Sequence, residues 1–248
     1  MPATDERSTG FRERLYHAYL TGTGHRAGSL REVLAPRAPY LRRLVRRHFP
    51  PDREARVLDL GCGWGALVAV AREHGYTRVS GVDRSPEQVE QARRFGIEGV
   101  REGDLLATVA ELPDASLDVV LTLDVIEHLT RDEVFRLCDE LHRALVPGGR
   151  WIVHVPNAES PLFGRVRYGD LTHELAFTRL SLAQMWSATG WRACEFFEDS
   201  PVVHGVRSAG RRLLWELIRA LWRLHLAAES GSAEGAIFTQ NLLAVAIR

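Results

Sequence analysis

The chain has 248 residues, of which 45% are hydrophobic and 26% charged, and its 32 basic side chains are balanced by 32 acidic ones. That length suits one α/β domain with additions and a core of ordinary size, and the charge balance argues against a field that would gather nucleic acid. The opening MPATDERSTGFRERLY mixes acids with bases, and no stretch reaches the roughly 18 apolar residues of a membrane span, so a cytoplasmic protein without an integral membrane segment is expected. Cys62, Cys138 and Cys194 are an odd number without C-x-x-C spacing, which predicts reduced thiols.

Residues 1–10 are polar, and 11–20 and 30–49 carry apolar side chains at helical spacing, interrupted by Pro36 and Pro39. Residues 1–50 therefore read as a helical cover and 51–248 as the main domain. From Arg56 the pattern alternates: strand 56–60, helix 65–74, strand 78–82, helix 86–94, a short strand 98–101, strand 117–123, helix 131–145 and strand 149–155. Strands alternating with helices predict a parallel sheet covered on both faces. After 156 the alternation breaks into a loop through Gly169, a helix 180–188, a strand 191–197, an arginine-rich helix 208–227, a Gly/Ser stretch 230–235 and a last strand 237–247.

Val57, Leu58, Asp59 and Leu60 end a buried strand, and Gly61, Cys62, Gly63, Trp64 and Gly65 supply a turn where backbone approaches a ligand with no Cβ in the way. Asp83 ends the next strand, 22 positions after Gly61, the spacing at which a carboxylate reaches the ribose of an adenosine-containing ligand. A nicotinamide fingerprint would be G-x-G-x-x-G; here the order is Gly61-x-Gly63-x-Gly65 preceded by Asp59, which favours S-adenosylmethionine and disfavours an oxidoreductase. Cys62 is read as the small residue a tight turn accepts rather than a nucleophile.

VLDLGCGWGALV resembles the first motif of the class I, Rossmann-like S-adenosylmethionine-dependent methyltransferases and GVDRSPEQVEQAR the second, while GDL at 103–105, LDVVLTLDVIEHL and LVPGGRWIVHVPN resemble the later ones. The resemblance spans about residues 50–200. It implies a seven-stranded sheet, mostly parallel, with the last strand antiparallel and helices on both faces. It further implies that the turn from Asp59 to Gly65 wraps the methionine end, that Asp83 binds ribose, and that Asp104 faces the adenine amine. Arg84, Leu105, Leu123 and Tyr19 are expected along the same cofactor, with Tyr16 and Tyr19 on a covering helix.

After the strand 117–123 come Asp124, Glu127 and His128, at the carboxyl end where α/β ligands bind, and His173 follows in GDLTHELAFTRLSL. Two histidines and two carboxylates suit a divalent ion with positions left for substrate oxygens; the alternative is that His128 caps a turn and His173 packs in a loop. The segment resembles the metal sites of ubiquinone-pathway O-methyltransferases and small-RNA 3′-end 2′-O-methyltransferases, which implies a divalent metal (Mg, Mn or Zn) on Asp124, Glu127, His128 and His173. Asp124 departs there from the more usual Glu and has a shorter reach. Candidate bases are Glu174 and whichever of His128, His154 or His173 is free of metal, with His173 leading if no metal binds.

Residues 157–190 and 204–235 are expected to shape the acceptor site, with Asn157, Arg165, Tyr168 and Asp170 as polar contacts and Phe163 and Trp186 as apolar walls. The 208–227 helix reads as a docking helix or homodimer face, with contact to a lipid-linked or phosphorylated substrate as the alternative. The ending loosely resembles methyltransferases of bacterial sugar, glycan and natural-product biosynthesis. The expected activity is methylation of a hydroxyl on a small-molecule acceptor. Its rivals are carbon, nitrogen or RNA 3′-end methylation, and a cofactor-binding partner subunit without turnover; nucleic acid is disfavoured because no basic stripe is present.

Overall fold

The computed structural model describes residues 10–17 and 28–248. Seven strands form one sheet: β1 (Val57–Leu60), β2 (Val79–Asp83), β3 (Val100–Glu102), β4 (Leu117–Leu123), β5 (Leu145–Pro156), β6 (Ala193–Glu198) and β7 (Asn241–Ile247), in the order β3-β2-β1-β4-β5-β7-β6. β3 through β5 run parallel, and β7 lies antiparallel between β5 and β6. The seven strands and the antiparallel final strand are those expected from the sequence.

Side chains alternate across each strand, so neighbours in sequence enter different cores. Leu58, Val120, Trp151 and Val153 pack with α7 (Arg131–Ala144) and α9 (Arg179–Ala188) through Leu137, Leu141, Leu182 and Trp186. Val57, Val119, Leu121 and Ile152 face α3 (Ala38–His48) and α4 (Ala66–Glu73), whose Leu41, Leu44, Val45, Leu67 and Val68 are all buried. Capping boxes start both helices of the first core: Thr130 with Glu133, and Thr178 with Ser181.

Ahead of the sheet, α1 (Phe11–His17) and α2 (Leu30–Leu34) precede α3, and the turn at Ala35–Arg37 falls where Pro36 was expected to interrupt. Of the remaining helices, α5 (Pro86–Arg94) matches its expected bounds, whereas α6 (Leu105–Ala110) and α8 (Phe163–Arg167) fall in segments read as loop. Both are shorter than two turns, too short for periodicity to show. β5 begins at Leu145, four positions earlier than expected, because Leu145 pairs with Leu117 and, across a bulge in the register, Gly148 and Gly149 hydrogen-bond to the Arg248 backbone. The last helix, α10 (Val206–Ser230), buries only Ser208. No helix among the described residues is long and apolar enough to cross a membrane.

Candidate functional site

The carboxyl ends of β1, β2 and β4 open into a cavity of about 290 Å³. Gly61, Gly63 and Gly65 all have positive φ, at 70°, 55° and 79°. A Cβ on Gly65 would lie 2.7 Å from Val100 Cγ2, and one on Gly61 would overlap Val125, so the turn admits only glycine at these points. Cys62 sits between them with its thiol buried; burial and the Asp59 carboxyl push its pKa well up, which fits a packing role.

Asp83 holds the turn in place. Its Oδ2 accepts the Gly63 N–H at 2.7 Å and its Oδ1 the Ser85 N–H at 2.9 Å, leaving further lone pairs toward the cavity. Burial raises its pKa despite both hydrogen bonds. Asp59 is 2% exposed, with Oδ1 lacking a partner, and burial together with the nearby Asp83 charge pushes its pKa up to about 8. A buried carboxyl with an open oxygen beside a glycine cradle fits a ligand ammonium. Asp104 caps α6 through Ala107 N–H at 2.9 Å and lies 3.8 Å from Arg84. Arg84, Asp104, Leu105 and Leu123 line the cavity; Tyr16 lines it too, and burial raises its phenol to about 12. Tyr19 lies outside the described residues.

Beside the cavity, Glu127, His128 and His173 come together, each offering a ligand atom within 4.8 Å of the others. The 3₁₀ turn Ile126–His128 carries the first two. The third is delivered by backbone: Glu174 N–H and Leu175 N–H both donate to Glu127 O, at 2.8 and 2.9 Å, clamping the 170s loop onto this turn. Glu127 is fully buried with neither carboxyl oxygen partnered among the described residues, and burial, then the Asp124 charge, raises its pKa far above the usual range.

The histidine tautomers follow from their partners. Asp170 is held below the usual carboxylate pKa: desolvation opposes this, but the Thr172 hydroxyl and N–H prevail. The Thr172 hydroxyl therefore donates to Asp170, at 2.6 Å, and must accept from His128 Nδ1–H, at 2.7 Å. His173 Nδ1 likewise donates to Arg167 O at 3.2 Å. Both rings thus keep a lone pair on Nε2, as metal-ligating histidines do. Burial and the neighbouring His173 lower the His128 pKa and keep it neutral.

Asp124, expected as a fourth ligand, is placed elsewhere. Its φ is +58° and its Oδ1 accepts from His154 Nδ1 at 2.7 Å. His154 Nε2 reaches Asp199 Oδ2 at 3.2 Å, so desolvation of the ring is outweighed by Asp124 and Asp199 and its pKa rises to about 10. A histidine protonated on both nitrogens is no base, which removes His154 from the candidates. Desolvation also opposes the Asp124 charge, but the His154 imidazolium and Arg37 keep its pKa low. Two acceptor candidates are structural as well: Asn157 is fully buried and donates to Ile237 O and Thr239 O, and Trp186 is core. Asp170 acts through Thr172, while Tyr168 is 81% exposed.

The sequence profile of the methyltransferase domain matches residues 33–195. The chain belongs to the methyltransferase-domain family. The chain is 35% identical over 137 residues to the ubiquinone biosynthesis O-methyltransferase of Methylocella silvestris, covering 49% of its own length and 52% of the relative's. It is 28% identical over 151 residues to cyclopropane mycolic acid synthase 3 of Mycobacterium tuberculosis, covering 60% and 50%. The chain thus spans about half the length of these two relatives. A SAM-dependent methyltransferase from Archaeoglobus fulgidus superposes with a TM-score of 0.63 at 22% identity, over 85% of this chain and 94% of that one, which shows a shared fold.

In this methyltransferase several cavity residues escape sequence reading. Arg12 joins Glu133 at 3.1 Å and Glu174 at 3.5 Å, tying α1 both to α7 and to the loop that carries His173. Arg37 lies 3.8 Å from Asp124. Arginines in amphipathic helices look alike in sequence, and only the capping-box spacing of Thr130 and Glu133 hinted that Glu133 had a fixed place.

Proposed function

We propose that the chain transfers the methyl group of S-adenosylmethionine to a hydroxyl oxygen of a small-molecule acceptor, a sugar or other natural-product precursor, with a divalent cation on Glu127, His128 and His173. The observation that carries this is the buried, unpartnered Glu127 carboxyl beside two histidines whose Nδ1 atoms are already committed. His128 also lines the cofactor cavity, so cluster and cavity share a wall. The names of the O-methyltransferase relatives support oxygen as the acceptor atom.

Asp59, with its open Oδ1, would receive the cofactor ammonium, Asp83 the ribose hydroxyls and Asp104 the adenine amine. A bound cation would supply Lewis acidity that eases loss of the hydroxyl proton. With two histidines holding it and His154 doubly protonated, Glu174 remains to take that proton. The sulfonium methyl is already activated, so the residues have chiefly to align oxygen, carbon and sulfur. Residues 1–50 serve as the cover, through Arg12 and Tyr16, and 51–248 as the catalytic domain, acting in the cytoplasm.

The test is calorimetry of S-adenosylhomocysteine and of Mg, Mn and Zn with chelator-treated protein, wild type and His173→Ala, joined to a methyl-transfer assay on hydroxylated acceptors. Cofactor binding, with stoichiometric metal lost in the variant and turnover lost with chelator, is the expected result. Metal-independent turnover that His173→Ala leaves intact removes the cation from the reading, and failure to bind S-adenosylhomocysteine removes the reading altogether.

A further inference from the structure

The helix α10 presents an apolar stripe that nothing among the described residues covers. Leu213, Leu214, Leu217, Leu221 and Leu224 are 57–67% exposed, and Val206 at its start is 91% exposed. At 100° per residue these six fall in one arc together with Gly210, Ala220 and Ala228, and the arc holds no charge. The opposite side faces the domain: Ser208 is buried, Arg212 reaches Ser200 Oγ, Arg219 pairs with Glu198, and the Trp215 indole nitrogen is buried. The stripe therefore points straight away from the body of the protein. A row of leucines over several turns exceeds the scattered apolar side chains of a monomer surface.

Charge decides what covers it. α10 carries five arginines against two glutamates. Glu216 already pairs with Arg212 and Arg219, and Glu229 lies 3.6 Å from His225. Arg207, Arg211 and Arg223 are exposed, flank the leucine arc, and form no ion pair among the described residues. A second copy laid on this face would bring the same excess of positive charge, five arginines against two glutamates, which opposes association. Anionic headgroups meet both needs, since phosphates neutralise the flanking arginines while the acyl boundary takes the leucines.

We propose that α10 lies in the plane of an anionic lipid surface, its leucine stripe buried and Arg207, Arg211 and Arg223 against lipid phosphates. The helix does not qualify as a membrane span, in keeping with a helix that lies on a bilayer rather than through it. The neutrality of the whole chain conceals this local excess. β6 runs parallel to β5, so α10 departs from the same sheet edge at which the cofactor cavity opens, and attachment holds that edge near the lipid.

The test is co-sedimentation of the full chain with vesicles of phosphatidylcholine alone or mixed with phosphatidylglycerol, alongside sedimentation velocity without lipid. The proposal expects binding to the mixed vesicles that weakens in high salt and little binding to phosphatidylcholine alone. Leu217→Glu with Leu221→Glu should weaken binding at least tenfold, and each of Arg207→Gln, Arg211→Gln and Arg223→Gln about fivefold. These side chains bury little of the folded domain, so unchanged S-adenosylhomocysteine affinity checks that the variants fold. No binding to mixed vesicles, binding unaffected by the leucine pair, or a lipid-free dimer that the leucine variants dissociate would each overturn it.

Discussion

Replacing Gly65 by alanine separates two costs that positive-φ glycines usually confound. Gly65 and Gly148 have nearly the same φ, 79° and 80°, yet a Cβ on Gly148 meets nothing within 4 Å whereas one on Gly65 would lie 2.7 Å from Val100 Cγ2 and 3.1 Å from Ile97 Cγ2. Both alanine variants incur the left-handed backbone penalty, about 1–2 kcal/mol. Only Gly65→Ala adds overpacking against two partly or fully buried side chains, about 1–3 kcal/mol. Urea denaturation should therefore place Gly65→Ala below Gly148→Ala by that second amount, and Val100→Ala in the Gly65→Ala background should recover part of it. Because Gly65 closes the cradle and starts α4, S-adenosylhomocysteine affinity should fall more than tenfold in Gly65→Ala and hold steady in Gly148→Ala. Equal stabilities with unaltered affinity would refute the argument that contact at Gly65, and not φ alone, shapes the turn.

Thr172→Val keeps the shape of the side chain but removes the acceptor for His128 Nδ1–H and the donor to Asp170, so calorimetry should show divalent-metal affinity falling about 10–100-fold with metal-free S-adenosylhomocysteine binding intact; unchanged metal affinity would show that Thr172 does not orient His128. Asp59, with a folded pKa near 8 against its usual 3.8, binds its proton more tightly folded than unfolded. Its contribution is thus fully present below pH 4 and lost as pH rises toward 8, a slope in ligand-free stability that Asp59→Asn should flatten. An incoming ammonium calls for the ionised carboxylate, so S-adenosylhomocysteine binding at pH 7 should release about one proton, seen as a buffer-dependent calorimetric enthalpy absent from the variant.

The cofactor side of the site was legible because its determinants are local: Asp59 to Gly65 and Asp83 follow from backbone sterics and from spacing across one β-α-β unit. The convergence of Glu127 and His128 with His173 was suggested by ligand chemistry at the strand end and by family resemblance, but no periodicity reports that two backbone N–H groups at Glu174 and Leu175 clamp a distant loop to Glu127 O. The pairing of Asp124 with His154 is hidden from the sequence for a related reason. β4 and β5 pair with Leu123 opposite His154, which brings Asp124 beside that ring, and such cross-strand neighbours depend on a register that sequence leaves open. α10 is amphipathic in the sequence, but which side meets the domain is set by Glu198 and Ser200, just before the helix, whose pairing with Arg219 and Arg212 no periodicity reports.

β7 is the last strand in chain order yet occupies an interior slot of the sheet, hydrogen-bonded to β5 on one side and β6 on the other. While the polypeptide emerges from the ribosome, β5 and β6 are complete well before the segment that must lie between them. Each then presents an open edge, and that of β5 carries buried-type side chains such as Trp151 and Val153, the kind of surface that pairs with other chains. The gap closes only when residues 241–247 arrive, after all of α10 has been made, so a ribosome stalled within α10 leaves a nascent chain whose half from β1 to β4 can be ordered while its sheet remains unfinished.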